Sequence, residues 1–207
     1  GAWTWYATGP GRGIQVSKGR HKGRLVIPCN HVEAGTMNNL SHVIYSDDHG
    51  INWKLGGIAQ DSTNEATLAE LSNGSLLLNM RNTGHSRYRQ IAISRNAGKK
   101  FSARSPDTAL VEPVCEGNLI RYTFPGKKDC LVFSNPSSAT ARVGITVKIS
   151  YDDGRTWPFS KLLYEGPSAY SCLTVLPNGN LACLYEAGYL RPYEGIELEE
   201  IVIDNLK

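Results

Sequence analysis

The feature that most constrains the fold is a short motif that recurs at intervals of about fifty residues. Its two full copies read SDDHGINW at 46–53 and SYDDGRTW at 150–157, and a degenerate copy, SRNAGKKF, occupies 94–101. The Asp of such a motif accepts hydrogen bonds from nearby backbone N–H groups, and its Gly adopts backbone angles that other residues resist. The motif therefore predicts a hairpin clip that is repeated once per sheet, with its Trp covering the turn from the apolar side.

Apolar strands follow the same interval. They are expected at 25–30, 76–82, 130–136 and 181–186, each after a polar or glycine-containing turn. The Asn-Gly pairs at 73–74 and 178–179 are strong signals for two-residue hairpins. No stretch shows the apolar period of a helix, so the chain is predicted to be all-β. A turn, two strands and a clip at this period are typical of a β-propeller, with about four blades in 207 residues. An all-β sandwich is the alternative, but it does not predict the paired periodicity.

Composition excludes several classes of function. A net charge of +3 is too small to indicate binding to nucleic acid or to a membrane surface. No apolar run approaches the roughly 20 residues of a membrane-spanning helix. The five cysteines lack the CxxC spacing of metal sites, so we expect free thiols and no metal.

Charged side chains end several of the predicted strands. Arg81 and Glu186 lie where apolar strands finish, Glu65 and Arg142 lie where strands begin, and Tyr170 opens the strand that leads to Glu186. Each would be unremarkable alone, because strand-end charges are usually solvated or paired at the surface. In a propeller the inner strands of all blades converge on one channel. The pattern therefore predicts that the two arginines and the two glutamates surround one shared pocket, with Tyr170 opening the strand that leads to Glu186.

The whole chain resembles a sialidase (exo-α-neuraminidase) of the bacterial and animal retaining type. The spacings agree: 16 residues separate Glu65 from Arg81, 28 separate Arg142 from Tyr170, and 16 separate Tyr170 from Glu186. The motifs that carry the resemblance are GPGRGIQ, KGRLVIPCNH, YSDDHGINW, NEATLAEL, LLLNMRN, VFSNP, TVKISYDDGRTW, GPSAYSCLTVLPNG and LACLYE. The clips alone occur in other propellers, whereas this ordered set is highly specific.

The resemblance implies a six-bladed propeller that releases terminal α-linked sialic acid from glycoproteins, glycolipids or oligosaccharides. Tyr170 matches the nucleophile and Glu65 the base that takes its proton. Arg81 and Arg142 match two of three arginines that bind the substrate carboxylate, and Glu186 matches the acid that orients an arginine. No metal or other cofactor is implied, and the partner is a sialylated glycan. A secreted, periplasmic or lysosomal compartment is expected rather than the cytosol.

The chain also departs from the family. The first arginine of the triad, in an F/Y-R-I-P segment, and the acid/base aspartate after it have no counterpart in this sequence. We therefore expect 1–207 to be a sialidase catalytic propeller domain without its N-terminal blades, with the missing N-terminal portion as a possible partner. Two other hypotheses stay open: a catalytically incomplete module that binds sialic acid, and a structural propeller. Linkage preference, and hydrolysis as opposed to transfer, also stay open.

Overall fold

The computed structural model describes residues 2–84 and 86–205, and its regular structure is almost entirely β-strand. This confirms the all-β prediction. Two three-residue 3-10 helices, Gly19–His21 and Ile203–Asn205, are the helical elements of the described residues. Within these ranges no helix has the length and apolar character needed to cross a membrane. The chain divides into two compact units, Gly1–Asp107 and Thr108–Lys207, and the boundary falls within one strand.

The first unit contains two sheets built from consecutive strands. The strands are β1 (Trp3–Thr8), β2 (Ile14–Gln15), β3 (Leu25–Glu33), β4 (Asn39–Ser46), β5 (Lys54–Asp61), β6 (Thr63–Glu70), β7 (Leu76–Asn82), β8 (Tyr88–Ser94) and β9 (Ser105–Val111), the strand in which the boundary falls. One sheet has the order β1-β3-β4-β5, with β2 paired to β3, and the other has the order β6-β7-β8-β9. The two sheets share the core of the first unit. That core includes apolar side chains from β3, β4, β6, β7 and β8, among them Val26, Val43, Leu68, Leu78 and Ala92.

The second unit contains a single six-stranded sheet in sequential order. Its strands are β10 (Asn118–Tyr122), β11 (Cys130–Pro136), β12 (Val143–Ser150), β13 (Phe159–Val175), β14 (Leu181–Ala187) and β15 (Gly195–Ile201). The 17-residue β13 belongs to two ladders, because its first part pairs with β12 and its second part pairs with β14. All four strands predicted from apolar runs are present, as β3, β7, β11 and β14.

The repeated motif forms the same hydrogen-bonded clip in each of its three copies. Ser46 Oγ donates to Asp48 Oδ1 at 2.7 Å and accepts from the Gly50 N–H at 2.8 Å, while the Asn52 N–H donates to Asp48 Oδ1 at 2.8 Å. The same three bonds recur at the same offsets in 94–101 and 150–157, with Asn96 in the place of the aspartate. In all three copies the residue before the glycine has a positive φ: 60° at His49, 52° at Ala97 and 62° at Asp153.

The aromatic residue that ends the motif is less uniform than the sequence suggests. Phe101 is buried in the core of the first unit, whereas Trp53 is 40% exposed and donates its indole N–H to the Gly50 carbonyl at 3.0 Å. The expectation that each Trp covers its turn from the apolar side is therefore wrong for Trp53. At 46–53 the clip is closed by polar contacts, and the hydrogen bond to the Gly50 carbonyl fixes the indole ring of Trp53.

Two buried histidines lie together beneath β1. His31 on β3 and His42 on β4 approach with their Nδ1 atoms 3.0 Å apart, and Trp3 stacks on His31 with ring centroids 4.0 Å apart. Burial, followed by the neighbouring His31, lowers the pKa of His42 to about 4, and burial also lowers the pKa of His31. Both rings are therefore neutral at pH 7, and both charge more readily in the unfolded chain than in the folded one.

Acid is expected to destabilise the first unit through His42. Because its folded pKa of about 4 lies below the unfolded value of 6.5, the stabilisation is complete above pH 6.5 and is lost as the pH falls toward 4. A shift of this size corresponds to about 3 kcal/mol of unfolding free energy. Urea unfolding at pH 7.5 and pH 4 should show this loss in the wild type and in the exposed control His49→Gln, and should show a smaller loss in His42→Gln. Equal losses in all three proteins would contradict the assignment.

Candidate active site

Two candidate residues of the first unit form an ion pair across a strand bulge. Thr63 on β6 pairs with Asn82 on β7, and Ala66 pairs with Met80, so residues 64 and 65 together oppose Arg81. A bulge of this kind re-aims a side chain away from its place in the ladder. Arg81 Nη1 lies 2.7 Å from Glu65 Oε2, and their side chains are 19% and 17% exposed. The structure therefore brings Glu65 and Arg81 together, as a partly buried pair with charge-assisted hydrogen bonding.

A cavity of about 450 Å³ opens beside Glu65 within the first unit. The cavity is lined by both side-chain amides and apolar groups. The lining residues are Trp5, Ala7, Thr8, Gly9, Pro10, Asn30, Val32, Asn39, Asn64 and Glu65. Asn64 links this wall to the bulge, because its Oδ1 accepts the Glu65 N–H at 2.7 Å and its Nδ2 donates to Asn39 Oδ1 at 2.9 Å. Side-chain amides and a carboxylate around a cavity of this size suit a hydroxyl-rich ligand.

The second unit repeats the bulged hairpin 105 residues further along the chain. Ser168 on β13 pairs with Ala187 on β14, and Ser171 pairs with Tyr185, so residues 169 and 170 oppose Glu186. Tyr170 therefore occupies the position of Glu65, and Glu186 occupies the position of Arg81. The turns also correspond, since the Gly74 N–H bonds to the Leu71 carbonyl and the Gly179 N–H bonds to the Leu176 carbonyl. This internal repeat explains why the 16-residue spacing occurs twice.

The other three candidate residues, Arg142, Tyr170 and Glu186, lie close together in the second unit. The Tyr170 N–H donates to Glu186 Oε2 at 3.0 Å, and the Arg142 guanidinium carbon lies 5.8 Å from the centroid of the Tyr170 ring. At this distance a guanidinium attracts the face of the ring. The arrangement places a phenol, a cation and a carboxylate next to one another. Tyr170 lies within β13, so the prediction that it opens the strand leading to Glu186 is wrong, whereas Arg142 directly precedes β12 and Glu186 lies near the end of β14.

Arg142 is held by two groups that the sequence did not indicate. Its Nη1 donates to the Tyr193 hydroxyl at 2.6 Å, and its Nη2 donates to the carbonyl of Val114 at 3.1 Å. Tyr193 lies in a loop between β14 and β15, where Glu194 accepts backbone N–H bonds from residues 189, 190 and 191. These bonds lower the pKa of Glu194, so the loop stays closed on its carboxylate at neutral pH. No spacing or motif marks Tyr193, because its partner Arg142 lies 51 residues earlier.

Comparisons with a family model and with known sequences agree with one another. The model of a BNR repeat-like domain matches residues 1–183. A sialidase from Micromonospora viridifaciens is 38% identical over 185 residues, which cover 86% of this chain and 28% of that protein. A sialidase from Bacteroides fragilis is 37% identical over 210 residues, which cover 97% of this chain and 37% of that protein.

A solved structure agrees with these relatives. The Hadza microbial sialidase Hz136 superposes with a TM-score of 0.86 at 34% sequence identity, over 99% of this chain and 39% of that chain. In these comparisons the chain therefore spans between 28% and 39% of the length of the proteins it matches.

Proposed function

The chain belongs to the sialidase family with a BNR repeat-like domain, and from this premise we propose that it carries catalytic residues of a retaining exo-α-sialidase. The substrate would be terminal α-linked sialic acid on glycoproteins, glycolipids or oligosaccharides. The observation that carries the proposal is the cluster in the second unit, where Arg142 faces the ring of Tyr170 and Glu186 accepts the Tyr170 N–H. A phenol beside a guanidinium is suited to attack a substrate that is itself an anion.

Tyr170 is the proposed nucleophile because it is neutral until it reacts. Sialic acid carries a carboxylate on its anomeric carbon, so an anionic Asp or Glu nucleophile would be repelled by its own substrate. Sialidases are an exception among glycosidases in using tyrosine for this step. With an ordinary pKa of about 10, the phenol needs a base that removes its proton during the attack.

Glu65 is the proposed base. In the first step a bond forms between the Tyr170 oxygen and the anomeric carbon while the base takes the phenolic proton, and the leaving oxygen departs with the bonding electron pair and takes a proton from solvent. In the second step water attacks the anomeric carbon of the glycosyl-tyrosine and releases one proton to solvent, the bond to the phenolic oxygen breaks, and the base returns its proton to the phenolate. The two inversions give net retention. The ion pair with Arg81 keeps the Glu65 carboxylate oriented between the two steps.

Arg81 and Arg142 are proposed to bind the substrate carboxylate. The guanidinium fork matches a carboxylate with two parallel hydrogen bonds, which a lysine cannot provide. Glu186 is proposed to orient an arginine of the site, and in the structure its carboxylate accepts the backbone N–H of Tyr170.

We also infer that the sheets are blades of a six-bladed propeller. The recurrence of one clip and one bulged hairpin along the chain supports this inference.

Arg142→Ala provides a test that separates catalysis from binding. Loss of two charge-assisted hydrogen bonds, each worth about 1.5–3 kcal/mol, should raise KM for a fluorogenic aryl sialoside by at least about 10-fold. An aryl substrate is chosen because its leaving group departs without a proton donor. Arg155→Ala, at an exposed arginine in a clip of the same unit, should leave KM unchanged. If the wild type binds sialic acid through Arg142 but does not hydrolyse the sialoside, the protein is a binding module and the hydrolase proposal is wrong.

A further inference from the structure

The internal repeat extends to a short segment that follows β1 in the first unit and precedes β10 in the second, and there the two copies differ. Gly9 has a φ of +72°, and 105 residues later Val114 has a φ of +57°. Two residues beyond these positions the first unit has Gly11 and the second unit has Glu116. The two segments therefore share an unusual backbone conformation but differ in side chain at the point where they meet the bulged hairpin.

In the first unit the backbone of this segment lies close against the bulged strand. Pro10 forms an isolated bridge with Ala66, and a side chain at Gly11 would come within 2.5 Å of the Ala66 carbonyl oxygen. Glycine is therefore required where the backbone passes this close to β6.

In the second unit a buried carboxylate takes over this contact. Glu116 is 3% exposed, and its Oε2 accepts the N–H of Ser171, the residue that corresponds to Ala66. Two residues later Asn118 Oδ1 accepts the N–H of Leu173 at 3.2 Å. Side chains at and just before the start of β10 thus bond to this edge of β13, where the first unit has an isolated backbone bridge.

The backbone N–H groups of Tyr170 and of the next residue, Ser171, therefore donate to two different carboxylates. The Tyr170 N–H donates to Glu186 Oε2 at 3.0 Å, and the Ser171 N–H donates to Glu116 Oε2 at 3.1 Å. Successive N–H groups of a strand point to opposite sides, so the two bonds hold the bulge from β14 and from the β10 side. A buried carboxylate is costly unless it is well hydrogen-bonded, and the sister hairpin shows that the fold does not need one at this position.

We propose that Glu116 is a positioning residue for Tyr170. It fixes the Ser171 amide, and with Glu186 it holds the bulge in the geometry that aims the phenol at the anomeric carbon. This inference rests on the proposed role of Tyr170 as nucleophile. A displacement of about 1 Å at a reacting group can cost on the order of 100-fold in rate. The contribution of Glu116 is therefore expected in kcat rather than in KM.

Three variants of Glu116 test the proposal with an aryl sialoside. Glu116→Asp retains the charge but is one methylene too short, and it should lower kcat at least about 10-fold with KM within about threefold. Glu116→Gln retains the length and an acceptor oxygen, and it should keep kcat within about threefold of the wild type. Glu116→Ala should lose as much as Glu116→Asp. Glu165→Gln is the control. Glu165 is an exposed glutamate of β13, the strand that contains Tyr170, and its replacement should leave kcat unchanged.

Amide hydrogen exchange separates this inference from the proposed function. The Ser171 amide should be protected in the wild type and in Glu116→Gln, and should exchange faster in Glu116→Asp while amides of β11 remain protected. Wild-type kcat in Glu116→Asp, equal kcat losses in Glu116→Gln and Glu116→Asp, or unchanged Ser171 protection would each overturn the role of Glu116. If the wild type shows no turnover, the sialidase proposal fails, and the exchange result alone then decides whether Glu116 holds the bulge.

Discussion

Replacing Tyr170 with phenylalanine should lower kcat for an aryl sialoside by about 1,000-fold or more while the fold is retained. The substitution removes only the attacking oxygen, and the loss of a covalent nucleophile costs at least this much in other hydrolases. KM should change little, because the ring still packs beside the Arg142 guanidinium. Steady-state kinetics and the thermal unfolding midpoint, measured on the same preparation, check both parts of the prediction.

Tyr189→Phe is the matched control for this variant. Tyr189 is 85% exposed on the loop after β14, so removal of its hydroxyl should leave kcat at the wild-type value. A Tyr170→Phe protein that retains more than a tenth of the wild-type kcat would exclude covalent catalysis by Tyr170.

Replacing Glu65 with glutamine should lower kcat by about 100- to 10,000-fold, the range expected for loss of a general base. Glutamine is nearly isosteric and can still accept a hydrogen bond from Arg81, so the bulge should remain intact. It cannot take the phenolic proton. Steady-state kinetics with the aryl sialoside measure this loss.

Glu165→Gln again serves as the control, and it should leave kcat unchanged. A Glu65→Gln protein that retains more than a tenth of the wild-type kcat would remove Glu65 from the role of base.

Much of the fold follows from local chemistry that is visible in the sequence. The clip at 46–53 could be predicted because a serine, an aspartate and a glycine at offsets of two residues satisfy one another within a single turn. The copy at 94–101 tolerates Asn96 because an amide oxygen accepts the same N–H bonds as a carboxylate. Four strands, β3, β7, β11 and β14, were equally accessible, since each is an apolar run that follows a polar or glycine-containing turn.

The local geometry of the candidate site was less accessible. The sequence marks Glu65 and Tyr170, but it does not reveal that each lies in a bulge opposite its partner, because the bulge depends on which strands pair and in which register. Glu116 and Tyr193 were missed since their partners lie 55 and 51 residues away. The 105-residue repeat was the available signal for Glu116, which takes the place of Gly11.

Covalent capture of Tyr170 tests the central claim most directly. In 2,3-difluorosialic acid the fluorine at C2 is a good leaving group, and the fluorine at C3 slows hydrolysis of the glycosyl-enzyme, so the intermediate should accumulate. Intact-mass and peptide mass spectrometry of the wild-type protein should reveal one fluorosialyl group, located on Tyr170, and none in Tyr170→Phe. A label on a carboxylate residue, or a wild-type protein that hydrolyses an aryl sialoside but is never labelled, would contradict tyrosine catalysis.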